Sequence, residues 1–226
     1  MTFYVIATPI GNLEDITFRA VRLLKEVDLI LCEDTRVTKR LMAKYGINTV
    51  TMSYHSQSKL SKIDKILDMI EEGKTLALVS DAGTPTISDP GSLLISKIRE
   101  RFPEIKITPV PGAAALAAAL SVSGLPASDF LFLGFLPHKK GRETLFKEVA
   151  ASRRPTVFYE SPHRILKTLE ALGRHLSAER QIVIARELTK IYEEIVSGTS
   201  SEILLYFQNN PDKVRGEFVV IVEAKK

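Results

Sequence analysis

Twelve residues, Ser80 to Gly91, read SDAGTPTISDPG and hold two Asp, two Gly and two Pro between an apolar run ending at Val79 and a helical pattern. That run of turn-formers is too long for a reverse turn. It reads as a shaped loop at the carboxyl end of a strand, where open α/β sheets place ligands. The plainer reading is a βα connection with a helix cap, in which Asp89, just before Pro90, is the N-cap.

Residues of similar character follow the other apolar runs: TPIGN from Thr8, EDTR from Glu33, PGAAA from Pro111, FLP from Phe135, ESPHR from Glu160 and ARE from Ala185. Intervening connections such as EEGK at Glu71 are plainer. Richness on one side only is what a shared ligand cleft produces.

The elements that must position these loops alternate in type. Short β-branched runs exchange with amphipathic helical patterns almost throughout, which predicts an α/β protein with mainly parallel sheets. Strands are expected over 3–7, 29–32, 49–52, 76–79 and 105–110. The helices between them carry Ala20, Leu24 and Val27; Val37, Leu41 and Tyr45; Ile63, Ile66, Leu67 and Ile70; and Leu94, Ile98 and Phe102. At PVPGAAALAAAL the composition shifts to Ala and Leu. A domain boundary is placed there, giving residues 1–113 and 114–226. In the second half strands are expected over 130–135, 156–160, 181–186 and 217–223, with 193–197 pairing antiparallel to a neighbour. Helices are expected over 142–152, from Ile165 to Leu172, and around Ile203 and Phe207.

Composition bounds the rest. The 226 residues are 45% hydrophobic and 26% charged, the balance of a soluble globular chain. No apolar run approaches the roughly 20 residues that cross a bilayer, and no secretion signal is read at the N-terminus. The single cysteine, Cys32, lies in the apolar run LILCE and reads as a buried thiol in a reducing, cytoplasmic setting. Four His and one Cys offer no metal-ligand spacing, so no metal is expected. The net charge of +4 leans toward an anionic partner such as nucleic acid. No GxxxxGK, GxG or GxSxG occurs, which excludes the P-loop, the dinucleotide fingerprint, the usual Rossmann-type methyltransferase and the nucleophile elbow. Ser161 and His163 read as a capped helix start rather than part of a triad.

ATPIGNLEDIT, CEDTR, SDAGTPTISDPG, PVPGAAALAAALSVSGLP, FYESPHR and GEFVVIVE together, in this order, resemble the tetrapyrrole methylase superfamily, and within it the ribosomal RNA branch. The resemblance implies two α/β domains of the tetrapyrrole methylase type with S-adenosylmethionine (SAM) in the cleft between them. It also implies a cytoplasmic homodimer, and 2′-O-methylation of a cytidine ribose in the decoding region of 16S rRNA within the small ribosomal subunit. Carried over by position, Asp81, Ala82, Gly83 and Thr84, then Gly112, Ala113 and Ala114, match the two SAM loops. Pro9 and Gly11 face the same site, and Leu136, Pro137, Ala185, Arg186 and Glu187 come from the second domain. Asp81 would take the ammonium group or a ribose hydroxyl, or cap its own loop.

Methyl transfer to a hydroxyl needs in-line alignment and a proton acceptor. Four strand-end carboxylates qualify: Glu33, Asp34, Glu160 and Glu187. RNA needs cations near the site. Arg36, Lys39 and Arg40, the loop residues His138, Lys139, Lys140 and Arg142, and His163 with Arg164 are the expected phosphate contacts. Two other readings stand beside this one: a tetrapyrrole C-methyltransferase, and a non-catalytic RNA-binding assembly factor.

Overall fold

In the N-terminal half a helix follows each of the first four strands and returns the chain to the same sheet edge, so the strands align in parallel. In order these are β1 (Thr2–Ile6), α1 (Phe18–Glu26), β2 (Leu29–Cys32), α2 (Thr35–Tyr45), β3 (Thr51–Ser53), α3 (Leu60–Glu71), β4 (Leu76–Leu78), α4 (Ser92–Arg101) and β5 (Lys106–Val110). The structure is a computed structural model describing residues 2–55 and 57–225. The sheet order is β3-β2-β4-β1-β5, every pair parallel. Leu76 lies in register with Phe3 on one side and Leu29 on the other, at the centre of the sheet.

Both faces are covered, as a parallel sheet requires. Ile63, Ile66, Leu67 and Ile70 of α3 and Leu94 and Ile98 of α4 pack against Phe3, Leu31, Leu76 and Leu78. Ala20, Leu23 and Leu24 of α1 and Met42 of α2 pack on the opposite face against Ile6, Ile30, Cys32 and Ala77. Each fully buried aliphatic side chain contributes roughly 1.5–3 kcal/mol relative to exposure. The buried positions of α2 are Thr38, Leu41 and Met42; of the expected Val37, Leu41 and Tyr45, Leu41 is buried and Tyr45 packs partly against the cluster that holds Met42. Val37 is exposed. Cys32 is buried and free.

The chain divides into two compact units, Met1–Ala114 and Ala115–Lys226. The second contains α5 (Ala115–Val122), β6 (Leu131–Phe135), α6 (Arg142–Ala151), β7 (Thr156–Glu160), α7 (Ile165–His175), β8 (Gln181–Arg186), β9 (Glu194–Thr199), α8 (Ser200–Asn209) and β10 (Phe218–Val222). Its order is β6-β7-β10-β8-β9. Here the expectation of mainly parallel strands fails. Only β6 and β7 pair in parallel, because the C-terminal strand β10 runs between β7 and β8 against both, and β9 folds back on β8. Consequently β6, β7 and β8 all run the same way and deliver their following loops to one edge. Helices α6, α7 and α8 cover one face, burying Phe146, Leu169, Leu172, Ile203 and Phe207. The small residues of α5 cover the other, with Ala119 and Leu120 against Val157, Val183 and Ile221. Among the described residues no helix is long and apolar enough to cross a membrane.

Candidate functional site

Strands β4, β1 and β5 are neighbours, so the loops that follow them are neighbours too, and polar contacts stitch them together. Thr8 and Gly83 form an antiparallel bridge, with Thr8 N–H donating to Gly83 O at 2.9 Å and Gly83 N–H donating to Thr8 O at 3.1 Å. The Thr8 hydroxyl donates to Ser80 O at 3.0 Å, the Ser80 hydroxyl to Gly83 O at 3.0 Å, and the Thr84 hydroxyl to Ala113 O at 3.2 Å. Gly112 is required where the loops touch. A Cβ built on it would lie 2.9 Å from the Ala7 Cβ, closer than real Cβ atoms come.

This braced ledge suits SAM by the chemistry of its groups. Ala82 and residues 111–114 stand outside every strand and helix, and Ala82 and Gly112 are exposed, so backbone with almost no side chain around it is open to solvent there. They match a ligand carrying a carboxylate, an ammonium group and ribose hydroxyls. Asp81 is half-buried and accepts the Asp34 N–H at 2.9 Å, so its carboxylate also joins the post-β2 loop to the ledge. Pro9 itself is buried, and the post-β1 loop meets the ledge through Thr8; Gly11 is exposed.

Beside the ledge, toward β2 and β3, stand the acids. Asp34 caps α2, accepting from Arg36 N–H at 2.8 Å, and pairs with the Arg36 guanidinium at 2.6 Å. That hydrogen-bonded guanidinium lowers its carboxyl to about 2, which leaves a poor proton acceptor. Burial, and then the Asp81 charge, push Glu33 above the usual carboxylate range. The sequence reading missed the third acid. Asp89 is not the cap of α4; that position is Gly91, which makes no side-chain cap bond. The Asp89 carboxyl instead turns toward Ser80, and burial, followed by the charges of Glu33 and Asp81, raises it to about 6. Its local signature is identical to that of a cap, and only the tertiary turn of the loop separates the two.

A carboxyl raised in the folded state binds protons that the unfolded chain has already lost. Its cost to stability therefore develops between about pH 4 and pH 6 and persists above. Asp89→Asn is expected to be more stable than the parent by about 1 kcal/mol at pH 7, after allowing for solvent screening at a half-buried site, and to lose that advantage below pH 4. Urea titrations across pH 3.5–8 check this; equal stability of the two proteins at pH 7 would contradict it.

In the second unit several expected surface residues are inside. Glu160, whose side chain is fully buried, lies 2.8 Å from Arg164 Nε and 2.9 Å from Arg142 Nη2, and accepts from the Thr168 hydroxyl at 2.7 Å and from Ser161 N–H at 2.9 Å. Arg142 also donates to Pro137 O at 3.0 Å and Arg164 to Leu136 O at 2.9 Å. The structure thus corrects three assignments together. Glu160 is not an available base, and Arg142 and Arg164 are struts holding the post-β6 loop, not free phosphate contacts. Leu136 lies in the core, its carbonyl taken by Arg164, while Pro137 is exposed. Ser161 does not cap α7, whose N-cap residue is Arg164.

Ala185 is buried against the α5 side of the sheet. Arg186 is buried, with Nε 3.4 Å from Glu194. Although burial acts the other way, the Lys190 ammonium and the Glu217 N–H hold Glu187 below the usual carboxylate range, at 2.8 Å and 3.0 Å. Lys39, Arg40, His138, Lys139, Lys140 and His163 are exposed, as is Arg36 despite its pairing with Asp34.

Residues 2–204 match the family described as Tetrapyrrole (Corrin/Porphyrin) Methylases. The chain is 47% identical over 225 residues to the ribosomal RNA small subunit methyltransferase I of Halalkalibacterium halodurans, covering 99% of this chain and 76% of that one. It is 44% identical over 222 residues to the protein of the same name from Thermotoga maritima, covering 98% of each. Among solved structures, the crystal structure of the methyltransferase CobJ superposes with a TM-score of 0.72 at 21% identity, covering 99% of this chain and 94% of that one, a likeness of fold. The order of motifs, the ledge behind the parallel sheet and these near full-length identities agree: the chain belongs to the tetrapyrrole methylases and, within them, to the ribosomal RNA small subunit methyltransferase I family.

Proposed function

We propose that this protein transfers the methyl group of SAM to the ribose 2′-hydroxyl of a cytidine in 16S rRNA, acting on the small ribosomal subunit as a cytoplasmic homodimer. The observation that carries the substrate is identity of 44–47% along nearly the whole chain to proteins named for small-subunit rRNA, against 21% to a solved methyltransferase of the same fold.

When bound, SAM supplies an electrophilic methyl on a sulfonium. Asp81, Ala82 and Thr84, with Gly112, Ala113 and Ala114, would hold it through main-chain groups and the Asp81 carboxylate, while Gly83, whose N–H and C=O are both paired with Thr8, shapes the loop rather than meeting the ligand. Alignment of the acceptor hydroxyl with that methyl supplies much of the acceleration. Of the four carboxylates expected as proton acceptors, Asp34, Glu160 and Glu187 are committed to cationic partners. Glu33 keeps the role, and Asp89 joins it as a carboxyl raised toward neutrality, where general bases work best. Exposed Lys139 and Lys140 would meet RNA phosphates.

Radiolabel transfer from SAM tests the reading. Label is expected on small ribosomal subunits and not on a porphyrinogen; label on the porphyrinogen alone would assign the chain to tetrapyrrole chemistry. No SAM binding by calorimetry, with RNA affinity intact, would leave a non-catalytic RNA-binding assembly factor.

A further inference from the structure

The connection between β8 and β9, residues 187–193, holds two exposed apolar side chains, Ile191 at 94% and Tyr192 at 72% exposure. A solvent-facing aromatic on a loose loop would mean little. This loop is braced. Glu187 and Thr189 both adopt positive φ, 51° and 65°, a conformation unfavourable for non-glycine residues that persists only when the surroundings impose it. The imposing contacts are on hand. Lys190 Nζ bridges Glu187 at 2.8 Å and Glu217 at 2.9 Å. The N–H of Glu187 donates to Glu217 O at 2.9 Å, that of Lys190 to Glu187 O at 3.0 Å and that of Glu193 to Lys190 O at 3.1 Å. Thr189 N–H donates to the Glu193 carboxylate at 2.5 Å. Gly216 makes room for this arrangement, since a Cβ there would meet Glu187 Cδ at 2.2 Å. The fold invests strain and an ion-pair network in holding Ile191 and Tyr192 out in water.

Their neighbourhood indicates the partner. Because β6, β7 and β8 run the same way, the loops 136–141, 161–164 and 187–193 leave one sheet edge, and residues 215–217 enter β10 there. That edge presents exposed His138, Lys139, Lys140, His163 and Arg215. Its acids near the turn are engaged, Glu217 with Lys190 and Glu193 with the Thr189 amide. From β6 to β9 the edge spans four strand spacings, about 19 Å, the reach of a few nucleotides. An exposed aromatic on a rigid turn at an edge of exposed cations is how proteins hold single-stranded RNA, by stacking a base and tracking the backbone.

We infer that the 187–193 turn is a base-stacking platform for single-stranded RNA, with Tyr192 under a nucleobase and Lys139, Lys140 and Arg215 along the phosphates. This deepens the proposed function and rests on it.

The test is fluorescence anisotropy of the full-length protein with a short labelled single-stranded RNA, alongside SAM calorimetry and light scattering. Tyr192→Ala is expected to weaken RNA binding about tenfold, and Tyr192→Trp to restore it, with SAM affinity, melting temperature and oligomeric state unchanged. RNA binding by Tyr192→Ala equal to that of the parent overturns the platform while leaving the methyltransferase reading in place. Loss of a dimer in Tyr192→Ala also overturns it, by making the turn an interface between copies. Absence of RNA binding by the parent protein, with SAM bound, overturns the RNA reading itself and the platform with it.

Discussion

Glu160→Gln is expected to destabilise the protein by about 3–5 kcal/mol, the cost of removing one partner from a buried ion-pair group. The carboxylate is fully buried and its oxygens satisfy two guanidinium groups, one hydroxyl and one main-chain amide. A neutral amide in its place leaves the largely buried guanidinium groups of Arg142 and Arg164 without their counter-charge, and its own NH₂ points a donor at donors. The consequence extends beyond stability. These arginines hold Pro137 O and Leu136 O, so the post-β6 loop carrying Lys139 and Lys140 loses its anchor. Urea titration should show a lowered midpoint, and hydrogen exchange should show faster exchange at residues 136–141. A free general base at this position would behave differently. The Gln variant would then keep parental stability and lose turnover alone, and that result would return Glu160 to the catalytic candidates.

The second large effect falls on the ledge proposed to hold SAM. Gly112→Ala is expected to weaken SAM binding at least tenfold, about 1.4 kcal/mol, while the protein still folds. The added methyl has no room, since its carbon would sit 2.9 Å from the Ala7 Cβ. Ala7 is buried just beyond β1, which pairs with β5 along its length and with β4 from Phe3 to Val5, so the sheet does not yield. The post-β5 loop must move instead, carrying residues 112–114 away from the Thr84 hydroxyl and from the donors facing the ligand. Calorimetry with SAM reads the affinity and a thermal melt reads the fold. Unchanged affinity in a folded variant would place the methyl donor elsewhere.

These two sites show what the chain disclosed in one dimension and what it withheld. Periodicity carried the elements well where one face is buried. All four apolar positions assigned to α3 are in the core, β7 and β8 run over the expected residues, and β9 pairs antiparallel as its pattern suggested. The clustering of unusual residues after strands marks the ledge in the sequence, because parallel strands must deliver those loops to one edge.

Long-range placement was not legible. Nothing local states that β10 inserts between β7 and β8, and that insertion makes the second sheet mixed. Charged residues were read as surface by default. Glu160 and Arg164 stand four apart, a spacing that suits an ion pair, but the burial that joins them to Arg142 depends on α6 and α7 packing on the same face. Asp89 shows the same limit, since an Asp before Pro satisfies the rule for a cap whether or not its carboxyl turns inward. Tyr192 and Ile191 carry no local signal in the sequence, and only their exposure on a strained turn sets them apart.

The most direct measurement of the central claim is nucleoside mass spectrometry of 16S rRNA from small ribosomal subunits lacking the modification, after incubation with this protein and SAM. The account predicts a cytidine heavier by one methyl, with the added mass on the ribose fragment, formed only when SAM is present. Unmodified rRNA, or a methyl group on the base fragment, would contradict it.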